Sequence, residues 1–401
     1  MRGAEVVVVG GAVGGMSAAL LLAELGASVT LVERVAEPAA VGAGILLQPN
    51  GLAVLAGLSL ADELNASGHR MRSGAVRSTS GRAISTVTVR DHGPGFGHVL
   101  ALRRSRLMQV LVDAVTAHAG IAIRFGTEVT AARPGGTVAI RTDSGTGTIE
   151  ADLVVGADGV GSTVRAGGSF GAKIRSIGVT YVRGLVDGAE AGLHGEYWTP
   201  LGLFGGAPMG DGTTYFYAAA DAPPVAAAIA DRDLGRFRSL WVEALPVSSP
   251  VLDRLTSFDQ LLVSEVVRVD CDRWSDGRLV LVGDAAHAMA PTLGQGANSA
   301  LVDAAVLAIE LADESVDTLP QGLARYELRR RPAVRRVQNQ ADRLVKLSGF
   351  ANGATRRVRD AVLRLAGRLP TTAAQLSKLA QQEDPASLYD SVSRLTAKSD
   401  S

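Results

Sequence analysis

Apolar residues fall along the chain in two different rhythms. Residues 5–9, 29–33, 153–155 and 279–282 are short runs with little polar interruption, each bounded by glycine or a polar turn. Such runs predict buried strands. The first is followed by four glycines within GGAVGG (residues 10–15), an Ala/Leu-rich stretch of helical character to Leu25, and Gly26 as a stop. Residues 74–101 and 171–270 instead carry short alternating stretches such as AISTVTV and TTYFYAAA, which predict antiparallel strands. Residues 121–142 read as a small meander, and the chain beyond residue 322 as mostly helical, with Pro332 expected to kink or restart the run from 322 to 347.

The first strand, glycine turn, helix and second strand form a βαβ dinucleotide unit, in which glycines permit a tight turn and a pyrophosphate rests on the helix N-terminus. Glu33 lies 23 residues beyond Gly10, placed to accept hydrogen bonds from a ribose diol. Ala12 replaces the usual second glycine, leaving Gly10, Gly11, Val13, Gly14 and Gly15 around it. A second segment, GDAAHAMAPTLGQGANSALVDA (residues 283–304), places Asp284 after a strand and a Pro/Gly loop before a helix starting near Ala297. Helix starts present unpaired N–H groups and positive dipole, so this loop is suited to a negatively polarised group. A third segment, DLVVGADGVGSTVR (residues 152–165), makes a polar turn with Asp158, Ser162 opening a helical turn, and Arg165.

In this order the glycine turn, DGxxSxxR and GDAxHxxxPxxGQGxN resemble the group A flavoprotein monooxygenases, the family of para-hydroxybenzoate and salicylate hydroxylases, over roughly residues 4–345. The resemblance implies an α/β fold: a Rossmann-like FAD-binding domain (residues 1–73, 102–170 and 271–347), an inserted antiparallel substrate-binding sheet (74–101 and 171–270), and a C-terminal helical region (348–401). It implies that Gly10, Gly11, Val13, Gly14 and Gly15 hold the pyrophosphate of non-covalent FAD, that Glu33 and Arg34 attend the adenosine ribose, and that Arg104 reaches the diphosphate or ribityl region. The Val129 backbone would meet adenine, and Asp284 the ribityl chain. Pro291, Gly294, Gly296, Ala297 and Asn298 would face the isoalloxazine ring. Asp158 and Arg165 belong to the segment the family uses for FAD and NAD(P)H, with a structural ion pair an equal alternative for Arg165. His287 is expected as a positioning residue. Gln48, Tyr197, Trp198, Phe204, Phe216 and Met289 are expected around the substrate, although a core strand and turn is an equal reading of residues 196–212.

Composition narrows the picture. Forty basic residues balance 40 acidic ones among 401, so no net field favours nucleic acid or an anionic membrane. Cys271 stands alone, excluding an intramolecular disulfide framework, and six scattered histidines offer no metal-ligand pairing. Residues 6–23 carry no charge, but four glycines in the run suit a nucleotide turn rather than an export signal or membrane span. The arginines between 322 and 347 have a single aromatic, Tyr326, among them rather than a stacking series, and read as a solvated face capping the FAD domain.

The expectation is a cytoplasmic monomer or homodimer that uses NAD(P)H, dioxygen and FAD to hydroxylate an aromatic or polyketide-like molecule through a flavin hydroperoxide, with no metal. An epoxidase, Baeyer–Villiger-type or drug-inactivating oxygenase shares the scaffold, and an FAD-binding sensor is the non-enzymatic alternative. One glycine-rich turn leaves no second Rossmann domain for NAD(P)H, which, as the resemblance implies, would dock transiently.

Overall fold

The computed structural model describes the chain except for residues 38–42, 94, 189–192, 194, 350–352, 367–380 and 398–401. Six strands form the first sheet, in the order Ser275–Asp276, Leu279–Leu281, Leu153–Gly156, Glu5–Val9, Ser28–Val32 and Ile121–Arg124. All pair in parallel except the terminal hairpin. A parallel sheet is covered on both faces, which is why Val6, Val7, Val8 and Val9 form a continuous apolar run rather than an alternating one. The helix Val13–Glu24 is buried along nearly its whole length and packs against Gly296–Leu311.

The second large sheet has seven strands, in the order Leu262–Asp270, Lys173–Asp187, Thr213–Ala219, Gly202–Pro208, Gly195–Thr199, Ser73–Ser78 and Ala83–Thr88. Its two faces differ. Tyr197, Phe204, Phe216 and Val182 pack with Phe237 and Trp241 of the helix Leu234–Ala244, forming a separate core. Trp198, Leu203, Tyr181 and Tyr217 point the other way, toward Ala290 and Leu293 of the first layer.

Several boundaries differ from the expectation. Val99–Arg103 does not join the large sheet; it pairs with Gly44–Leu47 and His69–Met71 in a small sheet of its own. The 171–270 insertion contains helices at Pro223–Ala230, Leu234–Ala244 and Ser249–Leu252, which supply the cover for the large sheet's outer face. The meander is Glu128–Ala132, Thr137–Thr142 and Gly145–Glu150, whereas Ile121–Arg124 extends the parallel sheet. The long helix Leu319–Ser348 runs unbroken through Pro332. The last helix, Pro385–Ala397, is no appendage: Leu388, Val392 and Leu395 enter the main core, and the helix packs on Pro49–Gly57. Residues 367–380 of the expected C-terminal helical region lie outside the described residues.

Candidate functional site

The three sequence segments meet at one end of the parallel sheet. Gly10 adopts φ +105°, and a Cβ there would come within 2.5 Å of the Ala157 carbonyl oxygen, so the glycine turn lies directly against the Asp158 turn. Gly15 is tighter still: a Cβ would fall 1.8 Å from the Gly10 carbonyl oxygen, and only hydrogen lets the helix start there. Gly14 and Gly283 both abut Ala300, bringing the start of the first helix beside the helix Gly296–Leu311. Arg165 is buried; its guanidinium donates to the carbonyl oxygens of Ala285, at 2.7 Å, and Val160, fastening the Asp158 turn to the Asp284 loop. These carbonyl contacts replace the ion pair weighed for Arg165.

Neither helix start is capped by a side chain. Ala12 and Gln295 occupy the N-cap positions without a side-chain cap bond, so the first N–H groups are available to a ligand. Ala12 itself is exposed and extended (φ −91°, ψ −175°), a conformation open to any residue, which explains why a glycine is not required there. Asp284 is solvent-exposed yet surrounded by protein, as a group on the floor of a concave opening would be. Burial pushes its carboxyl above the usual range, opposed by the charges of His287 and Arg104. Arg104, at the start of the helix Arg104–Ala117, is exposed to the same side. Asp158 Oδ2 accepts from the Thr163 and Val164 N–H groups at 2.7 and 3.1 Å, while its buried Oδ1 has no partner among the described residues. Pro291 is exposed, and Gly294 has φ +61°.

Glu33 accepts from the Gly11 N–H at 2.6 Å and the Val35 N–H at 2.9 Å, so it braces the glycine turn as well as closing the second strand. Beside it a cleft of about 470 Å³ is lined by Arg34, Val35, Gly126, Glu128, Arg141, Thr142 and Asp143. Val13 and Val129 are buried in the core, leaving only their backbones to meet a ligand. The Asn298 side chain is committed to structure: it accepts from the Gln48 N–H and donates to the carbonyls of Leu46 and Gly294, stitching the strand Gly44–Leu47 to the loop.

Sequence reasoning passed over a buried charge network beneath this loop. Asp303 accepts from His287 Nε2, from the Gly283 N–H at 2.9 Å and from Arg330 Nε at 2.8 Å, with all three side chains shielded from solvent. Burial raises the Asp303 carboxyl, but the charges of His287 and Arg330 and the hydrogen bonds overcome it and hold the group at about 2. His287 is thus tied to Asp303, in keeping with a positioning role. Arg330 departs from the solvated face expected of its neighbours because its partner lies 27 residues away, a distance no local pattern reveals. Arg325 and Arg329, by contrast, make exposed pairs with Glu310, Glu314 and Glu383.

The expected substrate group divides. Trp198 faces the loop, Met289 is half-buried beside it, and Gln48 lies near Gly294. Tyr197, Phe204 and Phe216 belong to the opposite face; Phe204 stacks on Phe216 with centroids 5.9 Å apart and meets Trp241 at 5.1 Å. The correction follows from strand alternation: consecutive residues point to opposite sides, so Tyr197 and Trp198 cannot line one wall. Tyr215 and Tyr217 lie on the same face as Trp198, with Met209 and Leu46 close by. A Cβ on Gly44 would lie 2.6 Å from Tyr215, which shows how closely the two layers approach.

Comparison with known proteins agrees with this geometry. A family described as an FAD binding domain matches residues 3–341. The chain is 33% identical over 334 residues to the aurachin C monooxygenase/isomerase of Stigmatella aurantiaca, covering 81% of this chain and 84% of that one. It is 32% identical over 346 residues to the 2-heptyl-3-hydroxy-4(1H)-quinolone synthase of Mycobacteroides abscessus, covering 84% and 88%. Among solved structures, a variant of 2-methyl-3-hydroxypyridine-5-carboxylic acid oxygenase superposes with a TM-score of 0.76 at 30% identity, over 88% of this chain and 94% of that one.

Proposed function

Because the chain belongs to the FAD-binding family of group A aromatic flavoprotein monooxygenases, we propose that it hydroxylates a planar, electron-rich aromatic held between the large sheet and the 290–296 loop, with NAD(P)H as transient donor. It is an FAD-dependent oxidoreductase acting on a small aromatic molecule with oxygen. The observation that carries the reading is the pairing of two uncapped helix starts with Asp284, which is enclosed by protein yet still touched by solvent. When bound, FAD supplies hydride acceptance and oxygen activation.

The chain's own residues would do the rest. The N–H groups at Ala12–Val13 and Gly14 meet the pyrophosphate, with Glu33 and Arg34 at the ribose and the Val129 backbone near adenine. Arg104 and Asp284 would hold the ribityl and diphosphate portion, and Asp158 Oδ1, buried without a partner among the described residues, would accept from the cofactor. The start of Gly296–Leu311, with Pro291, Gly294 and Ala297, would stabilise negative charge on the ring system. Met289, Trp198 and Gln48 would help exclude water, which protects the activated oxygen from wasteful release as hydrogen peroxide. We further infer that the two sheets mark two functional layers, the parallel one for cofactor and the seven-stranded one for substrate. We infer a cytoplasmic monomer or homodimer from the family resemblance alone. Among the described residues no helix is long and apolar enough to cross a membrane.

The test is turnover under ¹⁸O₂ with NADH or NADPH and a panel of phenols, quinolones and naphthoquinones. The reading expects one ¹⁸O atom in the product and substrate-stimulated NAD(P)H oxidation. Tight FAD binding without stimulation by any aromatic would favour the sensor alternative.

A further inference from the structure

A polar row crosses the inner face of the seven-stranded sheet. Strand registers place Glu196 beside Gly205, Gly205 beside Tyr217, and Tyr217 beside Arg183, all on the face that carries Trp198. Gly205 leaves a gap in this row, and Tyr217 fills it: a Cβ on Gly205 would lie 2.2 Å from the Tyr217 ring. The phenol thereby reaches across one strand and donates to Glu196 Oε2 at 3.3 Å. On the other side the Trp198 indole N–H donates to Glu196 Oε1 at 2.5 Å. Trp198 is itself held from behind, with the Arg359 guanidinium 4.5 Å from the ring centroid. Trp198 and Tyr217 share a cluster with Ala290 and Leu293 of the cofactor loop, which puts the row on the side of the sheet where the aromatic substrate is proposed to lie.

A carboxylate enclosed by aromatic groups is unfavourable unless hydrogen bonds or a partner offset the lost solvation. Burial raises the Glu196 carboxyl, and only the Trp198 and Tyr217 bonds oppose that rise. No cation pairs with Glu196 among the described residues: Arg183 is directed to Ser264, 2.5 Å away. Each carboxylate oxygen has two acceptor sites, and one donor apiece is present. Glu196 as a residue is half-buried, and its carboxylate keeps acceptor capacity beyond these two donors.

We propose that Glu196, presented by Trp198 and Tyr217, is a specificity-determining acceptor for a hydrogen-bond donor on the substrate ring, selecting N–H, amino or hydroxyl-bearing aromatics. A site built to receive a donor rejects an analogue lacking it, because its buried acceptor is then left unpaired. The proposal rests on the aromatic lying between sheet and loop, but its failure is separable from that reading.

The experiment uses the FAD-loaded protein and follows perturbation of the flavin absorbance as 4(1H)-quinolone, its N-methyl derivative or benzoate is titrated. Wild type is expected to bind the N–H quinolone about tenfold or more tightly than the N-methyl compound. Glu196→Gln, of equal size, should shrink that ratio to within about threefold while FAD content stays at one per chain, and Tyr217→Phe should shrink it part of the way. A ratio unchanged in Glu196→Gln overturns the proposal, as does a preference in wild type for benzoate, an anion with no donor on its ring, which would instead implicate Arg183, whose buried Nε lacks a partner among the described residues. If no aromatic perturbs the flavin of either protein, the substrate reading fails together with it.

Discussion

Gly15 and Ala12 sit three residues apart in the glycine turn and make opposite demands. At Gly15 any side chain collides with the Gly10 carbonyl, so Gly15→Ala should purify with little bound FAD, as read by the ratio of flavin to protein absorbance. At Ala12 the methyl is exposed on an ordinary extended backbone, so Ala12→Gly should change the FAD dissociation constant less than about threefold. Phe204 and Trp198 separate in the same way. Phe204→Ala removes a fully buried ring from the outer core and should cost about 3–5 kcal/mol in urea unfolding without altering the ratio of product to hydrogen peroxide. Trp198→Ala opens the inner face and should raise peroxide formation per NAD(P)H consumed. The glycine turn and Glu33 are placed by local spacing and Asp284 by the family resemblance, because each lies in a segment continuous in sequence. Glu196 and Tyr217 could not be placed in this way, because their meeting depends on Gly205 in an intervening strand, and that register is set only when the sheet forms.

Among the elements, the Asp284 loop is fixed by what lies beneath it. Asp303 joins the strand end at Gly283, the short helix bearing His287 and the long helix bearing Arg330. Asp303→Asn leaves Arg330 buried without its counter-charge, and a loss of about 3–5 kcal/mol is expected in denaturant unfolding of the apo-protein. The native carboxyl, held at about 2, lies below its ordinary value of 3.8. Its contribution is therefore present above about pH 4 and lost as pH falls toward 2. The gap in stability between wild type and Asp303→Asn should narrow over that interval; a gap constant from pH 6 to pH 2.5 would contradict the network. The strand and helix starts around this loop were legible because continuous apolar runs ending in glycine admit few structures. The helix continues through Pro332 instead of restarting there because tertiary packing on both sides of the proline holds it together, with Tyr326, Val334 and Val337 all buried.

For the whole molecule, two layers close on each other at the 290–293 loop, and the last helix returns to seal the cofactor layer from behind. The alternating and continuous hydrophobic rhythms distinguished the layers in sequence, but not the partner of every strand; Val99–Arg103 went to the small sheet that carries Gly44 against Tyr215. The account depends on FAD lying along the two adjoining helix starts with Asp284 at the opening. Titration of the apo-protein with FAD, followed by quenching of flavin fluorescence, tests this directly. One FAD per chain is predicted, with Asp284→Ala weakening binding about tenfold or more; a protein that binds no flavin, or binds it equally well without the Asp284 carboxylate, would contradict it.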